Sequence, residues 1–96
     1  MTYEEFENSL SEADPPAGLS APLLALWWDR KGDWEKAHDA LQGQPDGNGS
    51  AWVHAYLHRV EGDMANAGHW YRRAGKQAPG DRDLAAEWKQ LCQAML

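Results

Sequence analysis

Cysteine is almost missing from this chain. Cys92 stands alone, so neither an internal disulfide nor a cysteine-rich metal site can form. No apolar run approaches the ~18 residues needed to span a bilayer, and membrane association is not expected. The first residues include Glu4, Glu5 and Glu7 rather than a basic segment followed by an apolar one, so no signal peptide is read there. Positive charge is also scarce. Nine Lys and Arg against fifteen Asp and Glu leave a net charge of −6, which repels phosphate backbones and argues against nucleic-acid binding. There is no Gly-rich phosphate loop, no nucleophile elbow, no HExxH pair and no cofactor-binding motif. These absences point to a cytoplasmic protein, more readily non-enzymatic than enzymatic, and without a cofactor.

Tryptophan, by contrast, is abundant. Trp27, Trp28, Trp34, Trp52, Trp70 and Trp88 make six in 96 residues. Each indole buries about 150–250 Å², enough for a few of them to supply much of a small core. The length suits one domain, residues 1–96. Its pattern is helical throughout. Thr2 and Glu5 form a capping box ahead of the stripe Tyr3, Phe6, Leu10, predicting an acidic N-terminal helix within 1–13. Pro15, Pro16 and Gly18 end it. Ser20 is placed to cap a second helix, with Pro22 in its first turn. Gly32-Asp33 turns into a third helix carrying Trp34, Ala37, His38 and Leu41, completing a hairpin over 20–43. The run Gly43 to Gly49 reads as the most flexible connection. Ser50 is expected to cap a fourth helix reaching Glu61, and Gly62-Asp63 to lead into a fifth, about Met64 to Gln77, within a second hairpin over 50–78. Pro79-Gly80-Asp81 breaks the chain and recaps it at Asp81, and the stripe Leu84, Trp88, Leu91, Cys92, Met95 predicts a closing helix within 81–96. The expected fold class is all-α, a compact bundle of about six helices.

The chain also matches itself at an offset of thirty residues: Ser20/Ser50, Ala21/Ala51, Ala25/Ala55, Gly32/Gly62, Asp33/Asp63 and Ala37/Ala67 coincide. Caps, turn residues and small packing residues are the types that set where helices begin and how closely they approach. The segment Gly32-Asp33-Trp34-Glu35-Lys36-Ala37 resembles the inter-helix turn of tetratricopeptide repeats. In the second copy Ala55, Gly62-Asp63, Ala67, Tyr71, Ala74 and Pro79 fall at that family's small, turn, small, aromatic, small and proline positions. The resemblance covers about Ser20 to Pro79. It implies two helix-turn-helix units, with the last helix as a solvating cap and a protein or peptide as the ligand. The period departs from the family's, at thirty residues against about 34, because Gly43 and Pro45 shorten the first copy. The run AWVHAYLHR, followed by EGD and WYRRAG, also resembles small bacterial proteins, and that likeness implies no particular function.

Two candidate sites follow. Trp52, Tyr56 and Arg59 occupy first-helix positions that line the concave groove in the family, and aromatics beside an arginine are the composition of a partner-binding hot spot. On a helical wheel, however, Trp52 and Tyr56 share the apolar face with Val53, Leu57 and Val60, which asks for burial. Both hold if something covers the groove, whether the Tyr3, Phe6, Leu10 stripe, a second copy of the chain or a client. His54, His58 and Glu61, at i, i+4 and i+7, form the second candidate. Two imidazoles one turn apart can share a transition metal, with the carboxylate as a third ligand, or pass protons near neutral pH. His38 and His69 carry less support. Arg72, Arg73 and Lys76 make a small basic patch, read as a solvated face near a helix carboxyl end. The leading expectation is a protein-interaction module binding a protein or peptide partner, or a second copy of itself. The alternative is a small metal-binding or catalytic domain centred on His54, His58 and Glu61.

Overall fold

A computed structural model describes residues 1–96 and contains helices only: α1 (Tyr3–Ser9), α2 (Ala21–Arg30), α3 (Trp34–Ala40), a 3-10 turn (Asp46–Asn48), α4 (Ser50–Val60), α5 (Met64–Ala74) and α6 (Leu84–Met95). None is long and apolar enough to cross a membrane. The expected all-α bundle of about six helices is therefore present.

Local signals set most of the boundaries. Thr2 and Glu5 form the reciprocal capping box, with Glu5 N 3.1 Å from the threonine hydroxyl and Thr2 N 2.9 Å from the carboxylate. Ser20 caps α2 with Pro22 in the first turn. The two Gly-Asp corners are built alike. Lys31 N and Glu61 N donate to Trp27 O and Leu57 O, and Asp33 N and Asp63 N to Trp28 O and His58 O. Gly32 and Gly62 take φ of 86° and 85°, a left-handed conformation that costs a side-chain-bearing residue about 1–2 kcal/mol. Each aspartate then caps the next helix, Asp33 accepting from Lys36 N and Asp63 from Asn66 N.

Three boundaries differ from expectation. Ser50 is the first residue of α4 rather than its cap. Gly49, at φ 92°, holds the cap position, with Met95 packed so closely that a Cβ there would collide with its sulfur. α5 stops at Ala74, short of Gln77, because Gly75 adopts φ 69°. α6 is capped by Asp83, while Asp81 accepts from Asp83 N and shapes the approach. The 43–49 connection carries the 3-10 turn and is tied to α5 by the Arg73–Asp46 ion pair at 2.8 Å.

α2 packs on α3 and α4 on α5, while α3 and α4 meet between the hairpins. α6 lies on α2 and α4 instead of prolonging the stack beyond α5. Its Trp88 is fully buried against Phe6 and Tyr3, and the indole N–H donates to Leu26 O at 2.9 Å. Trp27 is equally buried and donates to Ser9 Oγ, while Lys31 Nζ ties down Leu10 O and Glu12 O at the end of α1. Each buried indole contributes roughly 4–6 kcal/mol of gross burial energy before ordering costs. The other four tryptophans are half-buried.

Ala55 and Ala67 are both buried and pack together with Tyr71, setting the close approach of α4 and α5. Ala67→Leu should therefore overpack this contact and lower stability by about 1–3 kcal/mol. Denaturant unfolding checks this, and an unchanged midpoint would contradict the packing described.

Candidate functional site

α4 is enclosed so completely that nine of its eleven residues are buried, among them His54, Tyr56, His58 and Arg59. Buried polar groups are tolerable only when bonded, so each must find a partner inside the protein. Tyr56 donates its hydroxyl proton to Asp29 Oδ2 at 2.9 Å. Arg59 donates to Glu87 at 2.6 Å and to the Asp81 carbonyl, and Glu87 also accepts the Tyr71 hydroxyl. Burial raises the pKa of both tyrosines and of Asp29. Tyr56 and Arg59 are thus engaged within the chain, the first by Asp29 of α2 and the second by Glu87 of α6 and the Asp81 turn. Of the trio Trp52, Tyr56, Arg59, only Trp52 reaches the surface, beneath the Lys76 ammonium at 4.3 Å.

The histidines make a different arrangement. His54 and His58, one turn apart on α4, converge on His38 of α3, with ring centroids separated by 5.0, 4.7 and 5.5 Å. His54 Nε2 and His38 Nε2 are 2.9 Å apart, and one ligand atom from each of the three rings lies within 4.8 Å of the others. Glu61 does not stand with His54 as a third ligand. It accepts a hydrogen bond from His58 Nδ1 at 3.1 Å, which orients that ring and leaves Nε2 as the lone pair. Gln42 Nε2 donates to His38 Nδ1 at 3.2 Å, which puts the His38 proton on Nε2, shared with His54. Glu61 also joins His58 and Asp63 in a second, more exposed group. His69 is exposed and apart from the cluster.

Aromatic walls fix the rings. Trp34 stacks on His38 at 4.9 Å and anchors its own N–H to Leu57 O at 2.7 Å. Trp70 stacks on His54 at 3.8 Å with planes 11° apart, and the Arg73 guanidinium lies over the Trp70 ring, 4.3 Å from its centre. The basic patch is accordingly divided: Arg73 serves Trp70 and Asp46, Lys76 covers Trp52, and Arg72 is exposed. Beside His54 a pocket of about 160 Å³ is lined by Gln42, Asp46, Ser50, Trp70 and Arg73 among others. Ser50 Oγ, in that wall, is the single buried side-chain polar atom without a hydrogen-bond partner. A hydroxyl in that condition costs about 1–3 kcal/mol. Cys92 faces the apolar core, where burial pushes its thiol up to about 12 and leaves it inert.

His38 was legible as the odd histidine of α3 but not as a partner of His54, because nothing in helical spacing relates residues on two helices. α3 lies beside α4 in the fold, and no spacing along the chain announces that.

Compared with protein-family models, with curated proteins and with solved structures, the chain matches none.

His54 is held neutral, its pKa lowered to about 4 by burial first and by His38, His58 and Arg73 after it, against Asp46. In the unfolded chain an imidazole titrates near 6.5, so between these values the unfolded state binds more protons. Metal-free protein should therefore hold its His54 contribution above about pH 6.5 and lose it as pH falls towards 4. Chemical denaturation across this range, in chelator, should show a steeper loss for the wild type than for His54→Gln; parallel curves would contradict it.

Proposed function

We propose that this domain binds one divalent first-row transition metal through His38, His54 and His58. The observation that carries the reading is the convergence of three imidazoles from two helices, with ligand atoms within 4.8 Å of one another. Nitrogens bound to a tetrahedral ion at 2.0–2.1 Å stand about 3.3 Å apart, so the rings draw together to hold one. An all-imidazole set suits zinc, cobalt, nickel or copper. Binding requires the Nε2 lone pairs. His38 supplies its own by moving the proton to Nδ1, where Gln42 accepts it after its amide turns over. Glu61, bonded to His58 Nδ1, acts as the outer carboxylate that fixes ring and tautomer. Because the ligands come from α3 and α4, the ion would fasten one hairpin to the other. Buried, reduced Cys92 suits the cytoplasm.

Equilibrium dialysis with Zn²⁺, Ni²⁺ and Co²⁺ tests this. One ion should bind per chain at micromolar concentration, with binding lost in His38→Ala, His54→Ala and His58→Ala. Glu61→Gln should weaken it about tenfold, and His69→Ala should leave it unchanged. Wild-type protein that retains no metal, or histidine variants that retain it equally, would defeat the reading.

A second reading, the tetratricopeptide-like interaction module, is supported by the two equivalent Gly-Asp corners and by Trp52. This ring lines the largest cavity, about 560 Å³, together with Arg73, Lys76 and Met95. Here the partner would meet the outer end of α4 rather than the concave face. Capture experiments with wild type and a folded Trp52→Ala variant decide it: a protein held only by the wild type supports the module, and identical capture removes it.

A further inference from the structure

The Gly-Asp corner between α4 and α5 carries a side-chain group that the matching corner between α2 and α3 does not. Both corners have the same backbone, closed by Asp33 N on Trp28 O and by Asp63 N on His58 O. At the thirty-residue offset His58 stands where the first corner has Trp28, and Glu61 where it has Lys31. The turn therefore forms without an imidazole or a carboxylate at these two places. In the second corner one ligand atom each of His58, Glu61 and Asp63 lies within 4.8 Å of the other two.

The charges of this group are unbalanced. Neither Glu61 nor Asp63 meets a lysine or an arginine, and the one ion-pair partner of Glu61 is His58. Two carboxylates this close repel each other, and a cation between them removes the repulsion. His58 is 6% exposed and has no hydrogen-bond partner outside the group, so its Nδ1 is a buried nitrogen aimed at Glu61. Asp63 spends Oδ1 on the cap of α5 and keeps Oδ2 free. Adjacent ligands of an octahedral ion bound at about 2.1 Å stand about 3 Å apart. His58 Nδ1 and Glu61 Oε1 are already at 3.1 Å. Both acids are exposed, which leaves the remaining positions on an ion to water.

We infer that His58, Glu61 and Asp63 form a second cation site, for a divalent ion that prefers oxygen, of the manganese kind. One imidazole with two carboxylates and water suits that class, whereas three imidazoles suit zinc, nickel or cobalt. In the metal-free chain Glu61 accepts the Nδ1 proton of His58. The ion takes that proton's place, and the ring carries its proton on Nε2 instead. This site does not require an ion among the three histidines.

Wild-type protein is titrated into manganese chloride while the paramagnetic resonance signal of the aqueous ion is followed. The signal should fall saturably, to one bound ion per chain. Asp63→Asn, which keeps a capping side chain, and Glu61→Gln should each raise the dissociation constant about tenfold or more. Asp33→Asn, at the matching corner, and His38→Ala should leave it unchanged. Circular dichroism confirms the fold of each variant, and Glu61→Gln carries the test alone if Asp63→Asn does not fold. A wild type that leaves the aqueous signal intact, or equal binding by wild type and both acid variants, overturns the second site and leaves the three-histidine reading standing. Manganese binding lost in His38→Ala also overturns it, because the ion then sits among the histidines. Manganese bound as expected by a protein that takes up no zinc keeps this site and defeats the other.

Discussion

The structure turns on α4, a helix buried on nearly every side although its sequence is not apolar on nearly every side. Packing by α2, α3, α5 and α6 removes His54, Tyr56, His58 and Arg59 from water together. Unpaired, each would cost several kilocalories, so the surrounding helices are obliged to present complementary groups at fixed positions. Asp29 on α2 answers Tyr56, Glu87 on α6 answers Arg59, and His38 on α3 answers His54. Each polar contact therefore fixes the placement of one neighbouring helix around α4. A chain of this size, with a modest apolar core, gains in specificity from such ties even where their net energy is small.

The histidine cluster is the least conventional of these solutions. A tyrosine facing an aspartate, or an arginine facing a glutamate, is satisfied by a complementary partner. The three imidazoles answer one another only in part: His38 and His54 share one hydrogen bond, and His58 turns its Nδ1 to Glu61. Trp34 and Trp70 clamp the outer faces, and Glu61 and Gln42 hold the outer nitrogens. The three rings are thereby held with one nitrogen of each within 4.8 Å of the others, which is the arrangement on which the proposed metal site rests.

The placement of α6 changes what the two hairpins can offer. In a stacked array the concave face of the first helices is free for ligands. Here Trp88, Leu91 and Cys92 of α6 and Phe6 of α1 fill the space above α2 and α4, completing the main core. Two hairpins alone would leave that face to water, and a domain of this size cannot spare it. The surface left over lies at the hairpin ends, near Trp52, and along the α3–α4 seam, where the histidines are.

The helical elements, the capping box, both Gly-Asp corners and the all-α class were legible from the amino-acid order, because caps, left-handed glycines and apolar periodicity act within a turn or two of chain. The trio of His54, His58 and Glu61 has the same origin: spacing along α4 sets His58 beside Glu61, and the two rest 3.1 Å apart. It could not supply His38, nor show that Tyr56 and Arg59 would be met by Asp29 and Glu87, residues 27 and 28 positions away. Those pairings were decided only by how the helices pack. The burial of α4 is a property of its neighbours, and a polar side chain takes its partner from whichever helix excludes water from it.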